Sequence, residues 1–154
     1  VNQKNVHAYV LGEHGDSSFV PWSIANISNV PIENYKNAVL SGVDYPEFKK
    51  DEVENYMRKS GARVIQRKGA TFYAVSASVC QLVSKLVAAS ESMATVSTMM
   101  HGEYGIEDVC LSVLSLVGPK GHQGNVLVDL TEEEIAKLKH SADTLKGIIA
   151  QVEI

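Results

Sequence analysis

Apolar positions recur along this chain with two kinds of spacing, and each predicts its own kind of element. Near the start, residues 6–11 form a short β-rich run ending at Gly12, and residues 19–27 form a second candidate strand, closed by Asn29 and Pro31. Both flank a loop over residues 12–18. From Tyr45-Pro46 the pattern turns helical: Val53, Tyr56, Met57, Val64 and Ile65 recur near the helical period in a charged segment, with Gly61 a weak point. The stretch predicts a helix of about four turns. After Lys68-Gly69, the residues Phe72, Val75, Val79, Leu82, Val83 and Leu86 make a wide apolar stripe, which predicts a buried helix at the centre of the domain.

Further on, the β-branched or apolar runs 94–100, 109–117 and 125–128 are separated by Gly102, Gly105 and the segment Gly118-Pro119-Lys120-Gly121, a pattern that predicts an antiparallel meander. The Gly118-Pro119-Lys120-Gly121 segment reads as a plain turn and not as a phosphate loop, since Pro119 removes a donor and no GK[ST] ending follows. Thr131 and Glu134 are spaced as a capping box opening a last helix, whose Ile135, Leu138, Ala142, Leu145, Ile149 and Val152 form one apolar seam. The expected architecture is α+β, with long helices packed on a small, largely antiparallel sheet in one domain. The βαβ alternation and GxGxxG fingerprint of a nucleotide-binding domain are missing from the sequence.

Composition narrows the function classes. With 154 residues, 45% of them hydrophobic, the chain is long enough to bury a core of its own. Its formal charge of −4 and dispersed basic residues argue against nucleic acid as a partner. The longest apolar stretch, residues 72–90, is interrupted by Gln81 and Lys85, so no membrane span of roughly 20 apolar residues is expected. Cys80 and Cys110 are too few for a disulfide framework and are expected to be small core residues in a reducing cytoplasm. No metal is expected either, because His101, His122 and His140 lack ligand spacing with one another or with the cysteines. The opening Val1-Asn2-Gln3-Lys4 has neither Met nor a leader and reads as a cut edge.

The chemistry concentrates in Gly12-Glu13-His14-Gly15-Asp16-Ser17, where a histidine stands between glycines at the end of a predicted strand. Such a loop can present an imidazole to a cleft, and histidine is the usual side chain for moving protons near neutral pH. Spacing alone still favours an ordinary surface-turn histidine. Asp16 is expected to accept backbone hydrogen bonds within the turn instead of orienting His14.

The segment continues into Val20-Pro21-Trp22-Ser23, and the whole resembles the signature around the active-site histidine of NAD-dependent L-lactate dehydrogenases. The resemblance runs on through residues 68–73, 96–98, 104–109, 111–113 and 141–145, in order over essentially the entire chain. It implies that residues 1–154 are the C-terminal, substrate-binding domain of such an enzyme, without its N-terminal NAD-binding domain. It implies pyruvate and L-lactate as substrates, NAD as cofactor, a homotetramer as the intact form, and His14 as the catalytic acid and base. Thr71 would line the substrate pocket and Val75 would touch the nicotinamide, one helix face carrying both at i and i+4. Without the family match, Thr71 reads as a helix N-cap and Val75 as core.

The same resemblance puts the aspartate that pairs with the histidine, the substrate-clamping arginine and the mobile loop upstream of Val1, so the chain by itself is expected to be inactive. His7 resembles an anion-binding histidine of enzymes activated by fructose 1,6-bisphosphate, although histidine occurs there in unregulated members too. Two positions depart from the family pattern: Leu114 stands where proline is usual, and Ala62 where many members have an aromatic residue. Two alternatives stay open. One is malate dehydrogenase or another 2-hydroxy acid enzyme, against which Glu13 and Asp16 speak; the other is a self-associating fragment whose interdomain face is apolar.

Overall fold

The computed structural model describes residues 1–39 and 48–152. Tyr45-Pro46, expected to open the first long helix, lie outside that range. In chain order the elements are β1 (Val6–His7), β2 (Asn26–Ile27), β3 (Val30–Pro31), α1 (Tyr35–Ala38), α2 (Lys50–Lys68), α3 (Tyr73–Val87), β4 (Ser92–His101), β5 (Glu107–Gly118), β6 (Gly121–Asn125) and α4 (Glu132–Ile149). The α+β reading holds: long helices accompany two antiparallel three-stranded sheets, ordered β1-β2-β3 and β4-β5-β6.

The two strands expected near the start are mostly not strands. Only residues 6–7 and 26–27 pair continuously, while Leu11 and Phe19 form an isolated bridge and Trp22–Ile24 is a 3-10 turn. Pro21 is the cause, since it has no N–H to give to a ladder and its φ of −73° feeds a helical turn. Ser28 and Asn29, both at positive φ (50° and 67°), close the β2-β3 hairpin in the conformation that two-residue hairpins favour. Pro31 sits on the edge strand, where its missing donor costs nothing.

The meander is present, with β5 central and residues facing across at Val96↔Val113 and Thr98↔Leu111. Its third strand lies earlier than expected, at 121–125 instead of 125–128. Gly118 and Gly121 pair directly, so the tight turn imposes pairing on His122 and Gly124, residues whose strand propensity is poor, with Gln123 left as a bulge between them. Leu114 is buried without breaking β5 and faces Thr95 on β4. Tyr104 takes a left-handed φ of 54° in the β4-β5 turn, and its phenol holds the turn by donating to the Val128 carbonyl (3.1 Å) and accepting from the Val128 N–H (2.9 Å).

The core gathers Leu11, Phe19, Met100, Ile106, Val109, Leu111 and Val113 against Leu138 and Ala142 of α4. Helix α4 opens with the expected capping box: Thr131 Oγ1 accepts from the Glu134 N–H and the Glu134 carboxylate from the Thr131 N–H. Its seam is buried only in the middle, for Ile149 is exposed and Val152 lies beyond the helix. Helix α2 runs through Gly61 for 19 residues, about five turns, and stops at Gly69, whose φ of 79° gives a left-handed cap donating to the Ile65 carbonyl.

Helix α3 forms where its stripe predicts, yet none of its residues is buried; Val75, Val79 and Val83 are 58%, 54% and 48% exposed. Periodicity encodes the stripe, but α3, lying beside β5, leaves only Leu82 and Leu86 of the stripe half-buried. The two cysteines are likewise exposed instead of in the core. Cys110 alternates outward between core-facing Val109 and Leu111, and Cys80 rides on the uncovered α3.

Candidate functional site

The 12–18 loop is built as a closed stem with three anchors. Leu11 and Phe19 exchange backbone hydrogen bonds at its base (2.9 and 3.1 Å), and Gly12 does the same with Ser112 of β5 (3.0 and 2.8 Å). Gly12 has to be glycine here: its φ is 98°, and a Cβ would lie 2.6 Å from Ser141 Oγ. Inside the loop, Ser18 donates to the Gly15 carbonyl through both its N–H (3.2 Å) and its hydroxyl (2.7 Å).

The second anchor comes from α4, where the Glu13 N–H donates to Ser141 Oγ (2.7 Å) and the Ser17 and Ser141 hydroxyls bond each other at 2.9 Å. Ser141 has no exposed surface. The third comes from α2, where Arg58 donates to the Ser18 carbonyl (2.8 Å) and pairs with Glu54 (3.0 Å), which also accepts from the Trp22 indole (2.7 Å). Glu54 is the one buried residue of α2, so this helix is docked through polar bonds more than through its apolar residues. Residues 22–24 are fixed in turn by Glu134, which accepts from both the N–H and the hydroxyl of Ser23. Burial pushes the Glu134 carboxyl up, but the donors of Ser23 and Thr131 outweigh it and hold the group below the ordinary carboxylate range.

Within this frame the imidazole of His14 is exposed. The expected turn acceptor is not Asp16 but Glu13, whose Oε1 accepts from the Ser17 N–H at 3.1 Å. Thr71 is exposed in the α2-α3 link, two residues ahead of the helix, so it does not share a helix face with Val75. The N-cap position belongs to Phe72, which makes no side-chain cap bond, because Thr71 lies one residue too early. Val75 is exposed on the first turn of α3, and His7 is exposed on β1, paired in register with Asn26. His14, Thr71 and Val75 are therefore all presented to solvent.

The described grooves lie elsewhere. One runs along α2, lined by Tyr56, Ser60, Arg63, Val64, Arg67 and Lys68. Another sits beside Asn125, whose Oδ1 accepts from Thr98 and whose amide donates to Glu103. The His101 N–H, ahead of Asn125, holds the Glu103 carboxyl below its ordinary range. Among the described residues no group of three or more His, Cys, Asp or Glu could hold a metal ion, and no helix is long and apolar enough to cross a membrane.

Ser141, Arg58 and Glu54 are the site residues that pattern reading passes over. A signal for the first was present: Ser141 stands on the apolar seam between Leu138 and Ala142, and a hydroxyl there must find a partner.

Comparison with known proteins agrees with this architecture. A family model described as the alpha/beta C-terminal domain of lactate/malate dehydrogenase matches residues 1–154. A curated L-lactate dehydrogenase of Thermoanaerobacter sp. (strain X514) is 37% identical over 154 residues, which are 100% of this chain and 49% of the relative. The chain thus spans about half the length of the curated relatives it matches. Among solved structures, an L-lactate dehydrogenase from Clostridium thermocellum superposes with a TM-score of 0.86 at 34% identity, covering 100% of this chain and 49% of that one. A malate dehydrogenase from Archaeoglobus fulgidus in complex with NADH reaches 0.76 at 33% identity, covering 92% and 42%.

Proposed function

The chain belongs to the lactate/malate dehydrogenase family, and from that premise we propose that it is the substrate-binding half of an NAD-dependent L-lactate dehydrogenase, with His14 as its proton donor and acceptor. In this reading residues 1–154 make up that domain and a nucleotide-binding half completes the enzyme. Thr71 lines the substrate pocket and Val75 meets the nicotinamide ring. The intact enzyme is a cytoplasmic homotetramer. One observation carries the reading: the 12–18 loop is bonded to β5, α4 and α2, while the His14 imidazole remains exposed, as a group that must meet a substrate has to be.

The residues present suit one end of the cofactor only. Val75, Val79 and Val83 offer an exposed apolar face for a flat ring, whereas the sequence has no glycine-rich fingerprint for the phosphates. Bound NADH supplies the hydride. The imidazolium of His14 gives its proton to the ketone oxygen of pyruvate as the alcohol forms, and the neutral ring takes it back from lactate. Its positive charge also favours the developing alkoxide.

Lactate is favoured over malate because curated relatives that match 97–100% of this chain at 37–42% identity are L-lactate dehydrogenases. The test is NADH oxidation with pyruvate and with oxaloacetate, for the chain alone, for the chain assembled with a nucleotide-binding half, and for that assembly carrying His14→Ala. The chain alone should be inactive. The assembly should prefer pyruvate and lose at least about a hundredfold in rate on substitution, the lower range for removing a general acid. Full activity in His14→Ala would sink the assignment.

A further inference from the structure

We infer that Ser141 is a positioning residue for the His14 loop, so that α4 fixes where the imidazole stands without touching substrate. The inference rests on the catalytic reading of His14 above. Ser141 occupies a seam that is otherwise apolar, beside Leu138 and Ala142, and all three are buried. Both of its side-chain partners belong to the loop: the Glu13 N–H at 2.7 Å immediately before His14, and the Ser17 hydroxyl at 2.9 Å three residues after it. Glu13 Oε1 accepts from the Ser17 N–H, which closes a ring of bonds around the imidazole-bearing residue. The loop comes this close only because residue 12 has no side chain, for a Cβ there would meet Ser141 Oγ at 2.6 Å.

Replacing Ser141 by alanine removes the shared oxygen and leaves the Glu13 N–H without its acceptor. The loop then relaxes, and displacements of about 1 Å at a reacting group can lower a rate on the order of a hundredfold. In the enzyme assembled with a nucleotide-binding half, Ser141→Ala should lower kcat about ten- to a hundredfold with KM for pyruvate changed less than about threefold. Ala142→Gly, which weakens the same buried turn, should lower the melting temperature and leave kcat in place.

Full kcat in Ser141→Ala beside an inactive His14→Ala overturns the positioning role alone, as does an equal loss of kcat in Ala142→Gly. Full activity in His14→Ala overturns the catalytic reading and the positioning role with it. Amide exchange in the chain itself gives a readout free of activity. The Ser17 N–H, which bonds Glu13 and not Ser141, should exchange at least tenfold faster in Ser141→Ala while Leu138 is unchanged; unaltered exchange at Ser17 overturns the role whatever the kinetics.

Discussion

The Glu134 carboxylate receives the Ser23 N–H at 3.0 Å and the Ser23 hydroxyl at 2.5 Å, joining the first turn of α4 to the segment that follows the His14 loop across 111 positions of sequence. The same carboxylate accepts from the Thr131 N–H at 2.9 Å, so one side chain both caps a helix and ties it to its neighbour. Glu134→Ala should destabilise the domain by about 1–2 kcal/mol, because it removes the acceptor of the Ser23 and Thr131 donors and with it half of the capping box. Urea denaturation at pH 7 measures the loss, and a change below 0.5 kcal/mol, the ordinary range for a surface substitution, would refute the junction.

Acid should act through the same group. Its folded pKa lies below the ordinary value, so its contribution is fully present above the unfolded carboxylate pKa of about 4.3 and is lost as pH falls through the folded value. Stability should therefore decline below about pH 4.3 more steeply in the natural chain than in Glu134→Gln. Parallel pH profiles for the two would show that Glu134 does not contribute.

Trp22 is the single tryptophan, so fluorescence reads the α2 junction directly. Glu54→Ala deprives the indole of an acceptor and Arg58 of its ion pair, with an expected cost of about 1–2 kcal/mol, since Arg58 is partly exposed and keeps the Ser18 carbonyl, and a red shift of emission as water reaches the ring. Glu54→Gln keeps an oxygen for the indole and should shift emission less. Identical spectra in all three proteins would mean that α2 is not held through Glu54.

Tyr104→Phe removes both bonds to Val128 and leaves a left-handed backbone without its tie. The expected cost is about 1–2 kcal/mol, together with faster exchange of the Val128 amide. Unchanged protection there would show that the turn holds without the phenol.

The exposed α3 stripe should make the chain self-associate, since an apolar face of this kind is normally covered. Sedimentation velocity should find a dimer or larger species, and Val79→Asp with Val83→Lys should return it to monomer with under about 0.5 kcal/mol of stability lost, as both sites are already exposed. A monomer at all concentrations in the unsubstituted chain would contradict this.

Local pattern was enough to determine the three long helices, the Thr131 capping box, the central strand of the meander and the glycine-flanked loop bearing His14. Each is encoded by period, cap or turn chemistry within a few residues. Tertiary structure alone decided the rest. Pro21 turned an apolar run into a 3-10 turn, and the Gly118–Gly121 pairing drew polar residues into β6. Ser141 and Glu13 meet across 128 positions, and nothing local to either names the other. Burial is likewise a property of what packs on a face: the same kind of periodicity buries Leu138 of α4 in the core with β5 and leaves Val79 of α3 half exposed, although α3 also lies beside β5.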